Sequence, residues 1–400
     1  MSSIFFKRRR WRRASFLLCV FLSAANGAAS GRALPWTGQH GLEDSLYRSV
    51  IHSWIPRALG WPTNVYTSTG VLINNQNIFI PLVIMTALDD AARYRRLPGL
   101  ARLERALEQK LAAYRAFERR RGRPSGSLNY SSRLPYSICP SDFDTGSEAA
   151  YWLAARGRLD GYIGDFISAT GRFRDVGRTI EDASDARWKT VNSGAFMTWA
   201  EPKEPGFIHG CMEWNNVDCI VNLRIISSAG LYERAGGQIP EPVRLGMRAA
   251  CGLIARVLSN REETVCSPYY RRASQFYLAY AQAVDAAPSC LSRSASAARS
   301  GAIREARRLL AREDVSTLEL SELIVALKKL LPCRRRPARI ATLILAMTGK
   351  LRHALSTQGR QKIRPQPYFY AGYPDGKYGH VWFSSPPLDS ALALEALAIP

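Results

Sequence analysis

The chain has 400 residues, of which 46% are hydrophobic and 22% are charged. This length and apolar fraction suit one large domain or two ordinary ones and exclude an intrinsically disordered chain. The formal net charge is +22, but the Arg residues are spread over amphipathic stretches such as 100–123 and 297–312, which is typical of solvated helix faces and not of a nucleic-acid site.

A secretory signal peptide is predicted at residues 1–30. The basic run 7–13 precedes the apolar run 16–25, and the small residues Ala28, Ala29 and Ser30 follow it. This order is that of a cleavable signal, and the apolar run is too short for a comfortable membrane span. We therefore expect an exported protein, periplasmic or extracellular, with a membrane anchor as the alternative. A basic exported chain also suits contact with an anionic membrane surface, and no nucleic-acid partner is expected.

Residues 31–400 are expected to form a single domain built of helices. Apolar spacing indicates successive helical segments, whereas alternating runs between turns, which would indicate strands, are few. The fold class is therefore predicted to be all-α. The segments are 42–55, 77–95, 98–121, 136–158, 187–206, 208–234, 241–259, 267–286, 300–311, 317–331, 337–356 and 368–399, of which 136–158 and 368–399 each begin with a loop.

The predicted helices are of two kinds. Segments 144–155, 217–229 and 388–398 are apolar nearly all round, which is typical of helices buried on every face, while 98–121 and 302–312 have one charged face. Short acidic or polar turns that open Ala-rich helices recur along the chain. This pattern predicts an (α/α) toroid of inner and outer helices with the acidic helix starts at one end. A stacked solenoid is the alternative.

Asp142 and Asp144 stand at one such helix start. Two neighbouring carboxyls raise the pKa of one of them, which a proton donor to an alkene requires. The resulting carbocation would need aromatic faces around it. In the alternative interpretation, Asp142 is a helix cap and Asp144 complements the helix dipole. The aromatic candidates are Trp199, Trp214, Tyr269, Tyr270, Tyr370 and Trp382.

A second polar pair lies on another apolar helix. Asp218 and Asn222 are four residues apart and so share one face near its start. They are candidates for substrate binding, or else form a capped and satisfied buried pair. Arg224 on the same helix would pair with an acidic residue of a neighbouring helix or contact an anionic ligand, and pairing is the commoner case.

Seven cysteines remain beyond the signal segment, and export permits disulfides. Cys211 and Cys219 flank the loop before the Asp218 helix, so we expect a bridge between them. Zinc-ligand spacing, a Walker loop and the DDxxD cluster that holds magnesium are missing from the sequence. Neither a cofactor nor a metal ion is therefore expected.

Four short segments carry a family resemblance. Segments 196–199, 216–222, 266–270 and 384–392 resemble bacterial members of the squalene-cyclase and protein prenyltransferase superfamily, and the likeness spans 41–400. The resemblance implies a terpenoid cyclase-like toroid. Class II cyclases of this superfamily protonate an alkene or epoxide with the middle Asp of an Asp-x-Asp-Asp motif, and some bacterial members carry Asp-x-Asp-Thr-Thr.

The matching residues here are Asp142, Asp144 and Thr145, while Gly146 stands in place of the second Thr. By resemblance Asp144 is the proton donor and Thr145 lines the pocket, which implies acid-initiated chemistry on an isoprenoid or lipid. Two other classes fit an exported toroid. One is a carbohydrate-active (α/α) barrel, with Asp144 and Asp218 as its two carboxylates. The other is a non-catalytic toroid that binds a lipid, glycan or peptide.

Overall fold

The computed structural model describes residues 37–66, 72–75, 77–120, 122, 126–128, 141–159, 161–177, 192–200, 216–357, 367–371 and 381–400. Within these ranges the chain forms twelve helices longer than one turn, and a single helical turn at Pro288–Leu291. They are α1 (Thr37–His52), α2 (Phe79–Ala92), α3 (Leu100–Arg120), α4 (Phe143–Ala155), α5 (Gly161–Thr170), α6 (Cys219–Arg234), α7 (Glu241–Asn260), α8 (Ala273–Ala286), α9 (Ala295–Ala311), α10 (Thr317–Leu330), α11 (Ala338–Thr357) and α12 (Pro386–Ala398).

The even-numbered helices form a closed inner ring. Helix α2 packs on α4, and α4, α6, α8, α10 and α12 follow in that order until α12 packs back on α2. The odd-numbered helices lie outside this ring. The fold is therefore an all-α (α/α) toroid, as the sequence predicts, and the closure of the ring excludes an open solenoid.

Side-chain size and polarity place each helix in its layer. Inner helix α6 is buried from Cys219 to Gly230, whereas outer helix α3 buries Leu103, Leu107 and Leu111 and exposes Arg102. An inner helix has no face open to bulk solvent, so inner helices are apolar nearly all round. Segments 144–155, 217–229 and 388–398 are inner and 98–121 and 302–312 are outer, which confirms the prediction.

The two ends of the ring differ in their connections. At one end Lys329 of α10 contacts Asp90 of α2 and Glu395 of α12, all near the last turns of their helices, so the inner helices run parallel. Connections that lead into inner helices are long, with the exception of 312–316, and those that leave them are short. We call the end where the inner helices begin the loop face. Long connections on a rigid scaffold commonly carry function. The long connections into inner helices are 53–78, 121–142, 171–218, 261–272 and 358–385. The short connections out of them are 93–99, 156–160, 235–240, 287–294 and 331–337.

A small antiparallel sheet joins two of the long connections. Strands β1 (Thr63–Tyr66), β2 (Leu72–Asn75), β3 (Phe369–Ala371) and β4 (Val381–Ser384) are arranged in the order β2-β1-β4-β3. Val65 pairs with Phe383, and both are buried. The sequence did not predict this sheet, because each strand is too short to show an alternating pattern.

Two expectations about local structure were wrong. Segment 187–206 was expected to be helical, yet its described part, 192–200, is extended, and Phe196 bridges Arg174 while Trp199 bridges Asp142. Cys219 was expected to bond Cys211, but its thiol is free and buried. A disulfide joins Cys251 to Cys290 instead.

Other predictions concern residues outside the described ranges. The signal segment 1–30 and Cys211 are among them. Among the helices that are described, none has the length and apolar composition needed to cross a membrane.

Candidate functional site

Asp142 is the N-cap of inner helix α4. Its Oδ1 accepts a hydrogen bond from the backbone N–H of Thr145 at 2.5 Å, and its own backbone is bonded to Leu128. Burial, followed by the negative charge of Asp144, raises the pKa of Asp142 well above its usual range. The carboxyl therefore has the bonds expected of a cap, and Thr145 is buried in the first turn beneath it.

Asp218 is the N-cap of the next inner helix, α6. Its Oδ1 accepts from the N–H groups of Ile220 at 2.7 Å and Val221 at 3.1 Å. Burial, and secondarily the charge of Asp144, raises the pKa of Asp218 to about 7. Because both cap carboxyls respond to the charge of Asp144, the acidic starts of α4 and α6 converge at the loop face, as predicted.

Asn222 joins α6 to the extended segment 192–200. Its Oδ1 accepts from the N–H of Phe196 at 2.9 Å, and its Nδ2 donates to the carbonyl oxygen of Phe196 at 2.9 Å. A buried amide whose donor and acceptor are both used in this way satisfies an otherwise unpaired strand-like backbone. The described contacts of Asn222 are those of a positioning residue.

Asp144 differs from these caps because its carboxyl faces the interior of the toroid. Arg224 Nη1 donates to its Oδ1 at 2.5 Å, and the Tyr270 hydroxyl donates to its Oδ2. The side chain is 17% exposed. Of Asp142, Asp144 and Asp218, Asp144 is thus the one that combines partial exposure with side-chain partners from other elements.

Arg224 lies at the centre of the charged network. Besides Asp144, its Nε contacts Glu148 Oε2 at 3.3 Å, and its Nη2 donates to the Tyr368 hydroxyl at 3.3 Å. The guanidinium lies 4.9 Å from the centre of the Tyr270 ring and 5.1 Å from that of Phe79. The expectation that Arg224 pairs with acidic residues is therefore confirmed.

Sequence reasoning missed Glu148, Tyr368 and Phe79. Glu148 is buried on α4, and its Oε1 accepts from Thr86 Oγ1 at 3.2 Å. Burial raises the pKa of Glu148, while Arg224 acts in the opposite direction. The spacing of Glu148 four residues after Asp144 places both on one helix face and could have identified it. Tyr368, in the connection 358–385, and Phe79, the first residue of α2, lie far from Asp144 along the chain and gave no comparable signal.

A small polar cavity lies deeper in the toroid than Asp144. Its volume is about 20 Å³, room for about one water molecule and much too small for an isoprenoid chain. Gln275 Oε1, which borders it, has no hydrogen-bond partner among the described residues. The charged and amide side chains in its wall are those of Glu148, Arg224, Gln275, Gln282 and Glu395.

The predicted aromatic residues occupy three different places. Tyr270 belongs to the charged network, whereas Tyr269 accepts hydrogen bonds from Trp199 Nε1 at 3.0 Å and from Asn216 at 3.2 Å. Trp382 on β4 stacks on Tyr66 of β1 with ring centres 3.9 Å apart. Tyr370 lies opposite Trp382 in the sheet, although its side chain, like all of Trp214, is outside what the structure describes.

The network can stabilise negative charge on Asp144. A carboxylate is stabilised by hydrogen bonds from charged or hydroxyl donors, and Arg224 and Tyr270 provide both. Arg224 also contacts Glu148, so two carboxyl groups share this guanidinium. Within the described residues, no group of His, Cys, Asp or Glu is arranged to hold a metal ion.

Comparisons with known proteins place few limits on function. No protein-family model matches the chain, and no curated protein matches it. A solved structure that resembles it is ent-copalyl diphosphate synthase from Streptomyces platensis, with a TM-score of 0.47 and 16% sequence identity over 80% of this chain and 50% of that chain. The chain therefore spans about half the length of that synthase.

Proposed function

We propose that this protein is an exported enzyme in which Asp144 donates a proton to a double bond or epoxide of an isoprenoid or lipid, in the manner of class II terpene cyclases. The observation that carries the proposal is the setting of Asp144. Its carboxyl faces the interior at the loop face, is partly exposed, and is bonded by Arg224 and Tyr270. Such donors stabilise the carboxylate that remains after proton transfer.

Among Asp142, Asp144 and Asp218, the described aspartates at the starts of α4 and α6, only one carboxyl is accessible, which favours this chemistry over glycoside hydrolysis. Asp142 and Asp218 cap helices and are 5% and 0% exposed, whereas a glycosidase needs two carboxyls that both reach the scissile bond. Proton donation to an alkene or epoxide needs one acid. The rings of Tyr270, Phe79 and Tyr368 make the surroundings of the charged network aromatic, and those of Tyr270 and Phe79 face the Arg224 guanidinium.

The small size of the cavity supports a substrate position on the loop-face side. The space beneath Arg224 is polar and holds about one water molecule, so the substrate would lie on the loop-face side of Asp144. That side is bounded by the long connections, many of whose residues are outside the described ranges.

The experiment compares two Asp→Asn variants with the wild-type protein on a panel of polyisoprenoids that end in an alkene or an epoxide. Asp144→Asn cannot donate the proton, so product formation should fall by a factor on the order of 10²–10⁴. Asp142→Asn is the matched control, because Asn caps helices about as well as Asp. Product formation that survives in Asp144→Asn, or its absence in the wild type across the panel, would count against the proposal.

A further inference from the structure

Two buried thiols meet at the loop-face end of α6. Cys219 is the first residue of α6, and Cys266 belongs to the connection that leads into α8. Both are free and buried. The backbone N–H of Cys219 donates to the carbonyl oxygen of Cys266 at 3.1 Å, and each thiol is among the neighbours that shift the pKa of the other.

This arrangement suits a covalent bond between the sulfurs. Disulfides span Cα separations of about 4.4–6.8 Å, and two residues joined by a backbone N–H···O=C bond lie close enough for such a cross-link. Bond formation therefore joins two buried cysteines that the backbone already holds as neighbours.

We propose that Cys219 and Cys266 form a disulfide in the mature protein. The proposal rests on the export that forms part of the proposed function, since an oxidising compartment lets such bonds persist. The bonded pair Cys251–Cys290 and the bonded Cys333 belong to the same chain. In the reaction the two thiols lose two protons and two electrons and gain an S–S bond. A disulfide oxidant such as oxidised glutathione takes up the electrons and protons as its own S–S bond breaks into two thiols.

Burial determines when the bond forms. It raises the pKa of both thiols, and the thiolate is the nucleophile in thiol–disulfide exchange. In the closed toroid the pair is therefore inert. Oxidation belongs to folding, before the connection 261–272 covers the start of α6.

The bond would hold the candidate site together. Cys266 precedes Tyr270 by four residues, and Cys219 starts the helix that carries Arg224. A cross-link between them restrains the Tyr270 hydroxyl and the Arg224 guanidinium, which both contact Asp144. The cross-link also lowers the conformational entropy of the unfolded chain, which is how disulfides stabilise proteins in the chain-entropy model.

The test uses the full mature chain, reduced and unfolded, then refolded in a mixture of reduced and oxidised glutathione. Remaining thiols are alkylated under denaturing conditions, and the non-reduced peptides are mapped by mass spectrometry. We expect a cross-linked Cys219–Cys266 peptide beside the Cys251–Cys290 peptide, which is the internal control. Alkylation of both Cys219 and Cys266 in protein whose Cys251–Cys290 bond has formed would overturn the proposal.

Hydrogen–deuterium exchange gives a second readout. The connection 261–272 should exchange more slowly in the oxidised protein than in a Cys219→Ala, Cys266→Ala variant, whereas the segment 287–294, held by Cys290, should be unchanged. Equal exchange of 261–272 in both proteins would contradict the positioning role. Because the refolding buffer supplies the oxidant and neither readout measures turnover, failure here is distinguishable from failure of the proposed export or chemistry.

Discussion

Arg224 and Asp144 form a charge pair between two neighbouring inner helices. A buried guanidinium and a carboxylate offset each other's desolvation cost only while both are present. Glu148 contacts the same guanidinium and is its second carboxylate partner. At the scale of single residues, this part of the interior therefore depends on the charged network around Arg224.

Removal of the Arg224 guanidinium should destabilise the folded protein. We expect Arg224→Met to lower the free energy of unfolding by about 3–5 kcal/mol, because two interior carboxylates lose their partner. Arg248→Gln on outer helix α7 is the control: its contact with Glu241 is solvent-exposed, so the change should stay within about 0.5 kcal/mol. Urea unfolding at neutral pH measures both. Equal losses in the two variants would contradict the central role of Arg224.

The pKa of Asp218 predicts a pH dependence of stability. Between the usual value of 3.8 and about 7 in the folded chain, the folded state binds one proton more than the unfolded state, so the free energy of unfolding falls as pH rises. Asp218→Asn keeps a capping side chain and removes this titration. Relative to wild type, the variant should gain about 2–4 kcal/mol between pH 4 and pH 8. Parallel stability profiles over this range would contradict the assignment.

Close helix packing sets the dimensions of the inner ring at the scale of secondary-structure elements. Gly230 lies where α6 crosses the end of α8, and a Cβ built there would come within 2.7 Å of the Ala286 carbonyl oxygen and of the Ala287 side chain. Backbone atoms cannot move aside as a flexible side chain can. The two inner helices approach closely because this position has no side chain.

Two glycine substitutions test this packing. Gly230→Ala should lower the free energy of unfolding by about 1–3 kcal/mol, since the added methyl group forces the helices apart. Gly252→Ala on outer helix α7 meets no atom within 4 Å and should gain about 0.5–1 kcal/mol, because Ala favours the helix. Thermal or urea unfolding distinguishes them. Stabilisation by Gly230→Ala would show that the inner helices are not in close contact.

Elements with a strong local pattern were predictable from sequence, and others were not. Helices α4, α6 and α12 are apolar nearly all round, and this pattern assigned them to the inner layer. Helix α5 was missed because it has ten residues, two of them Gly161 and Gly164. The sheet was missed because β1 pairs with β4, whose residues lie far along the chain, and no short window records such pairing.

In the candidate site, too, only residues with a signal in the local sequence were predictable. Asp142, Asp144 and Asp218 were found because helix starts have a local signature. Arg224 was noticed as a charge on an apolar helix, and its pairing followed from the cost of burial. The contacts of Asp144 with Tyr270 and of Arg224 with Tyr368 join distant parts of the chain. They depend on closure of the ring and could not be derived from spacing.

For the whole molecule, the two ends of the toroid differ, and the candidate site lies at the loop face. The loop face has the long connections, the sheet and the partly exposed Asp144, whereas the opposite end has short connections and the Lys329, Asp90 and Glu395 cluster. Sequence diversity and ligand contacts concentrate on long connections. A substrate is therefore expected to approach from the loop face.

Export with removal of the N-terminal segment is a further prediction for the whole chain. The mature chain should begin near Ser30, because the apolar run 16–25 is followed by small residues that signal peptidases accept. Mass spectrometry of the exported protein measures its N-terminus. Membrane-bound protein that retains Met1 would show that the segment is an anchor.

The position of a bound cationic ligand tests directly whether Asp144 is the catalytic acid. A farnesyl-dimethylammonium ion has the isoprenoid tail and positive charge of a protonated intermediate, and its crystal structure with the wild-type protein would locate the charge. We expect the ammonium beside the Asp144 carboxylate, near the Tyr270 ring, with the tail on the loop-face side. A ligand bound elsewhere, or a loop face that stays empty while Asp144 keeps its bonds to Arg224 and Tyr270, would contradict the assignment of Asp144 as the acid.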